Sequence, residues 1–207
     1  MMTKTMPRNL ILLTIVLGNL LFACASPKFL KVHYRLPAQS EAVAGPTVSL
    51  SVKDMRPNQM FLTANAKKGL RDFSDTFSLV VSQENKPGDL LGVYDAPNLF
   101  LEIFKRRLEN AGITVLAGND QANAEIVIGL KTFMLDLKDR KWILTLNYQT
   151  DIIKEQRIAS TQGFSGSAER LRVVGAGEAE KIIGDLLTDM INKLDLEKLF
   201  RDAGYGR

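Results

Sequence analysis

From Thr47 onward hydrophobic and polar residues alternate. Val48, Leu50 and Val52 share one face of a predicted strand that runs into Asp54-Met55-Arg56-Pro57, where Pro57, lacking an N–H, ends it. Phe77, Leu79 and Val81 alternate again, Lys86-Pro87-Gly88-Asp89 suits a type II turn, and Leu91 and Val93 follow, which predicts a hairpin inserted within 58–94. At Leu99, Ile103, Phe104 and Leu108 the spacing becomes helical, with Asp95 as N-cap, Pro97 in the first turn and Gly112 as the stop. A short strand spans Ile113 to Leu116. Three long β runs follow, 125–138, 141–153 and 158–168, joined by tight turns at Asp139-Arg140 and between Lys154 and Arg157. In the second run Trp142, Leu144, Leu146 and Tyr148 face one way and Thr145, Asn147, Gln149 and Asp151 the other, as expected of a sheet covered on one face. The last element is an amphipathic helix over 178–194, whose stripe comprises Ala179, Ile182, Ile183, Leu186, Leu187, Met190 and Leu194.

The predicted fold class is therefore α+β: an antiparallel sheet of about four to six strands with two helices packed on one face. The first long β run changes phase, since Ile126, Ile128 and Leu130 are even-numbered and Phe133, Leu135 and Leu137 odd. Either a bulge near Lys131-Thr132 returns all six to the core, or the odd trio forms an apolar patch beside Ile143 on the outer face. In the second case Phe133, Leu135 and Leu137 are candidate partner-binding residues. In the first, the contact surface is sought around Asp54, Arg56 and the 58–94 insertion.

The N-terminus has a different pattern. Lys4 and Arg8 precede a 13-residue apolar run, Leu10 to Phe22, too short to cross a bilayer and suited to a signal peptide. Leu21-Phe22-Ala23-Cys24 then resembles the bacterial lipobox, and the sole cysteine of the chain stands where a diacylglycerol would be thioether-linked. Ala23-Cys24-Ala25 also fits cleavage after Ala25 by an ordinary signal peptidase. The expected organisation is a lipoprotein signal peptide at 1–23, a lipidated tether at 24–46 with Pro27, Pro37 and Pro46, and one domain at 47–207. His33 is read as a solvated residue of that tether. Ala25, where an inner-membrane retention signal would show Asp, points to the outer membrane, facing the periplasm.

Composition narrows the chemistry. The 207 residues include 27 Lys+Arg, 23 Asp+Glu, one His and one Cys. One His and one Cys exclude a His/Cys metal cluster and an internal disulfide, and no catalytic triad is available within the domain. Loss of residues 1–23 lowers the formal charge from +4 to +2, which gives no electrostatic case for nucleic acid. Val173-Val174-Gly175-Ala176-Gly177 suggests a dinucleotide loop, but its sixth position is Glu180, and Glu178 and Glu180 would repel a pyrophosphate. The basic triplet Lys105-Arg106-Arg107 reads as a solvated helix face. No cofactor is expected.

The lipobox, the strand end Leu50-Ser51-Val52-Lys53-Asp54-Met55-Arg56, the helix from Leu99, the segment Ala124 to Ile128 and the C-terminal helix together resemble the YajG-type lipoproteins. The order of elements is also similar to the lipopolysaccharide-assembly lipoprotein that plugs an outer-membrane barrel, from which the 58–94 insertion departs. Neither resemblance supplies catalytic residues. Both imply an α+β domain held at a membrane surface and acting by contact: a non-enzymatic accessory that binds an envelope protein or polymer. A lipid or small-molecule carrier and a carboxylate-based envelope hydrolase are the alternatives.

Overall fold

A computed structural model describes residues 29–38, 46–83, 86–118, 122–173 and 175–205. The signal peptide and Cys24 lie outside the described residues. The fold is α+β, with helices packed on mixed sheets of five and three strands.

The five-stranded sheet contains β2 (Val48–Asp54), β5 (Val115–Leu116), β6 (Ala124–Lys138), β7 (Lys141–Lys154) and β8 (Arg157–Leu171), in the order β5-β2-β6-β7-β8. The β6-β7-β8 meander is antiparallel as expected, but β2 runs parallel to both β5 and β6. Both meander turns hold two residues in the left-handed region: Asp139 and Arg140 at φ 49° and 61°, Glu155 and Gln156 at 50° and 61°. That geometry matches the right-handed twist of the flanking strands, although neither turn has the usual Asn-Gly. Trp142, Leu144, Leu146 and Tyr148 are all fully buried, as their alternation predicts.

Part of the expected 24–46 tether is a strand instead. Residues Phe29–Arg35 form strand β1, which pairs in parallel with β3 (Thr76–Ser82); β3 pairs antiparallel with β4 (Asp89–Tyr94) to complete the smaller sheet. Leu30, Val32 and Tyr34 point into the core and are buried, while Phe29, Lys31, His33 and Arg35 face out. His33 is therefore exposed but on a strand, its Nε2 2.8 Å from Ser82 Oγ. The inserted hairpin is present, but its turn is not 86–89. Lys86 N–H donates to Gln83 O, and Gly88 lacks the positive φ of a type II turn.

The described residues also include four helices: α1 (Ala64–Gly69), α2 (Ala96–Asn110), α3 (Gly177–Asn192) and α4 (Leu196–Asp202). Asp95 caps α2 by accepting from Asn98 N–H, and Gly112 at φ 82° follows its end. Leu99, Phe100, Ile103, Phe104 and Leu108 form its buried face. Helix α3 packs on β1, β7, β8 and α2. A Cβ at Gly184 would lie 2.7 Å from His33 O, so this mid-helix glycine admits the backbone of β1 at a cost in helix propensity of about 1 kcal/mol. Helix α3 also satisfies the outer edge of β1. Lys31 N–H donates to Glu180 (2.9 Å), Arg35 N–H to Thr188 (3.1 Å), and Asn192 donates to Arg35 O (2.9 Å) while accepting from Tyr34 O–H (2.7 Å). An otherwise open strand edge is thereby closed.

Phe133 and Leu135 are core residues, which overturns the patch reading. The ladder shifts register between Leu130 and Thr132, so the bulge returns the odd residues to the inner face. Phe133 lies at the centre of an aromatic cluster, with ring centroids 4.7 Å from Phe61, 5.3 Å from Phe100 and 5.6 Å from Phe77. Leu137, beyond them, is only half-buried.

Candidate functional site

Where β2 ends, the chain turns back on itself through a side-chain clamp. Arg56 donates from Nε to Asp54 Oδ1 (2.8 Å), from Nη2 to Oδ2 (2.7 Å) and from its own backbone N–H to Oδ1 (3.2 Å). The two side chains retain only 7% and 14% of their accessible surface, so this is a largely dehydrated bidentate pair. These hydrogen bonds hold the Asp54 carboxyl below the usual carboxylate range, against the opposing effect of burial. Met55, between them, keeps the ladder going by donating to Leu130 O and projects its side chain over Gly129, where a Cβ would meet Sδ at 3.0 Å.

The clamp leaves one group unused. Arg56 Nη1 is buried without a hydrogen-bond partner, beside a cavity of about 190 Å³ lined by Gln59, Phe61, Asp75, Phe77 and Asp95 as well as the clamp itself. Asp54, Asp75 and Asp95 outnumber Arg56 in that lining, which disfavours an anionic occupant. One Asp95 oxygen is already engaged in capping α2. Among the described residues no group of three or more His, Cys, Asp or Glu is placed to hold a metal.

The segment 56–61 then arches over the edge of β6 and rejoins it where Leu135 N–H donates to Phe61 O and Thr63 N–H donates to Leu135 O. Beneath the arch is an open cleft of about 440 Å³, lined by residues 56–60, Leu62, Thr63 and 131–134. Its exposed walls are Met60 and Met134, with Lys131 at the rim. Methionine is unbranched and polarizable, so such walls adapt to varied apolar partners.

Of the candidate contact residues, Asp54 and Arg56 are thus joined in one surface feature. Phe133 reaches the cleft floor from the core, Leu135 is wholly internal, and Leu137 lies farther along β6 in a different cleft. Gln59, Met60 and Met134 escaped sequence reading. Met134 had a signal, being an apolar residue out of phase with Phe133 and Leu135 once the bulge is allowed. Met60 had none, because an irregular loop offers no periodicity.

No family model matches the chain, and no curated protein matches it. Among solved structures, the fold is similar to that of protein XCC0632 from Xanthomonas campestris, of the DUF330 family, at 15% identity over 85% of this chain and 96% of that one, TM-score 0.53. Slighter likenesses link it to a PelC dodecamer from Paraburkholderia phytofirmans (10% identity, 79% and 93% of the two chains, TM-score 0.36) and lipoprotein GNA1162 from Neisseria meningitidis (10%, 70% and 97%, TM-score 0.28). The first likeness shows a shared fold.

Proposed function

We propose that the chain is an envelope lipoprotein of the YajG type, anchored through Cys24 to the outer membrane on its periplasmic side, and that it acts without catalysis by binding an envelope protein or polymer. The observation that supports contact as its mode of action is the methionine-walled cleft beside the Asp54–Arg56 clamp. It places exposed Met60 and Met134 over a rigid aromatic core, with a fixed ion pair at one end to orient a partner. A carrier would need room between its layers. Here that space is occupied by Phe61, Phe77, Phe100, Phe104, Phe133 and Tyr148.

Strand β1 shortens the anchor. Only residues 25–28 separate Cys24 from Phe29, a reach of at most about 18 Å when fully extended. The partner is then met close to the membrane.

Two experiments test the two halves of this reading. Radioactive palmitate should label the wild type and not Cys24→Ser; equal labelling would remove the anchor. Photo-crosslinking residues at Met60 or Met134 should capture discrete envelope species in intact cells, while the same probe at Ile158, exposed on β8, should not. Identical products at all three positions would remove the cleft.

A further inference from the structure

The end of the domain from which the N-terminal segment departs differs from the rest of the surface. Phe29 and Leu30 open β1 there, and Leu30 lines a cleft of about 210 Å³ with residues 69–73, Gly175 and Ala176. Gly175 also lines the adjoining larger cleft, about 630 Å³, whose other walls are Leu137, Arg140, Arg172 and Val173. The C-terminal end of α1 closes against the same place, where a Cβ on Gly69 would be 3.5 Å from Arg172 Cζ and 2.9 Å from Trp142. The two clefts therefore form one continuous surface, built from the start of β1, the β6-β7 turn and the end of β8.

Its chemistry is apolar and basic together. Phe29, Leu171 and Val173 are exposed, at 39%, 65% and 61%. Among the described residues no carboxylate pairs with Arg140 or Arg172, whereas Lys141 and Arg170 alongside are paired with Glu169 and with Glu178 and Asp185. The Arg140 carbonyl accepts from Arg172 N–H at 2.8 Å, which ties the β6-β7 turn to the end of β8; the Arg172 guanidinium stands 5.7 Å from the centroid of the Trp142 ring. Arg140 and Arg172 thus both line one apolar hollow. Lys67, Lys68 and Lys138 are also exposed here, against Asp72 and Asp139.

We propose that this end seats directly on a bilayer containing anionic phospholipids, Arg140 and Arg172 engaging headgroup phosphates while Phe29, Leu171 and Val173 enter the interface. The inference deepens the anchor reading and rests on it for orientation: β1 begins at this end with Phe29, and the few residues between it and Cys24 are too short to hold any other face against the membrane.

The test uses the mature chain carrying Val173→Cys, labelled with an environment-sensitive dye and bound to vesicles. Vesicles of phosphatidylcholine with phosphatidylglycerol should shift its emission to the blue, and vesicles of phosphatidylcholine alone should not. High salt should abolish the shift. So should Arg140→Glu with Arg172→Glu, with an unchanged melting temperature. The control, Lys193→Glu with Arg201→Glu near the opposite end, makes the same change in charge and should retain it. Emission independent of phosphatidylglycerol, or equal loss in the control, would overturn the proposal. Dye stoichiometry separates the two readings, because one dye per chain means a blocked Cys24 and two mean a free thiol, which ends the anchor reading.

Discussion

Strands β1 and β7 are both amphipathic, yet only one could be recognised before the structure. β7 lies between its sequence neighbours, joined to each by a two-residue turn, and its alternation is sustained over 14 residues. β1 has seven residues, and its partners are β3, more than forty residues on, and α3, about 150 residues on. Its alternation of Leu30, Val32 and Tyr34 against Lys31, His33 and Arg35 is as regular as that of β7. What it lacks is a local partner, and with Pro27 and Pro37 on either side it resembles a linker. The lesson is that period sets which face a strand buries, while the partner decides whether it is a strand.

The sharpest way to break the comparison is to place a charge in each strand. Val32→Asp and Leu146→Asp should both cost several kcal/mol and abolish the cooperative thermal transition, because each puts an unpaired carboxylate in a fully buried position. If residues 29–35 were a tether, Val32→Asp would melt like the wild type.

Next in size, Phe133→Ser should destabilise by about 3–5 kcal/mol in denaturant titration, since it leaves a cavity among Phe61, Phe77 and Phe100. Met134→Ser, one residue away on the exposed face, should change the midpoint by less than about 0.5 kcal/mol. A reversed order would put the bulge in the wrong place.

Smaller again is Asn192→Ala, which removes one donor to Arg35 O and the acceptor of Tyr34 O–H; the expected loss is about 1–2 kcal/mol. Hydrogen exchange should quicken first in β1 and leave β7 unaffected. Uniform loss of protection in both strands would show that α3 does not hold β1 separately.

The smallest effect is confined to acid. Asp54 has a folded pKa below its ordinary value of 3.8, so its contribution to stability is complete above that value and fades as pH falls through the folded pKa. Asp54→Asn lacks this titration, and the gap in melting temperature between mutant and wild type should narrow below about pH 4. A gap constant down to pH 2 would mean that the Arg56 clamp does not depress this carboxyl.

The sequence alone determined what short-range rules control. The α2 and α3 stripes, the cap at Asp95, the meander and its two turns, and the phase change in β6 could all be read because helix period, strand period and turn length act over a few residues, whereas the bulge that accounts for the phase change was decided by the structure. The Asp54-Met55-Arg56 clamp was legible as a motif, its two charged residues one position apart at a strand end. Its chemistry was not: the buried Nη1 and the cavity beside it exist only because Phe61, Phe77 and Asp95 arrive from elements 5 to 41 residues away. Tertiary structure also decided that β2 runs parallel to β6, that Gly184 is a contact surface for a backbone, and that residues 29–35 are a strand of the domain. Each of these depends on segments far apart in the chain closing on one another, and the loop entropy that opposes closure is overcome by burial that no local pattern displays.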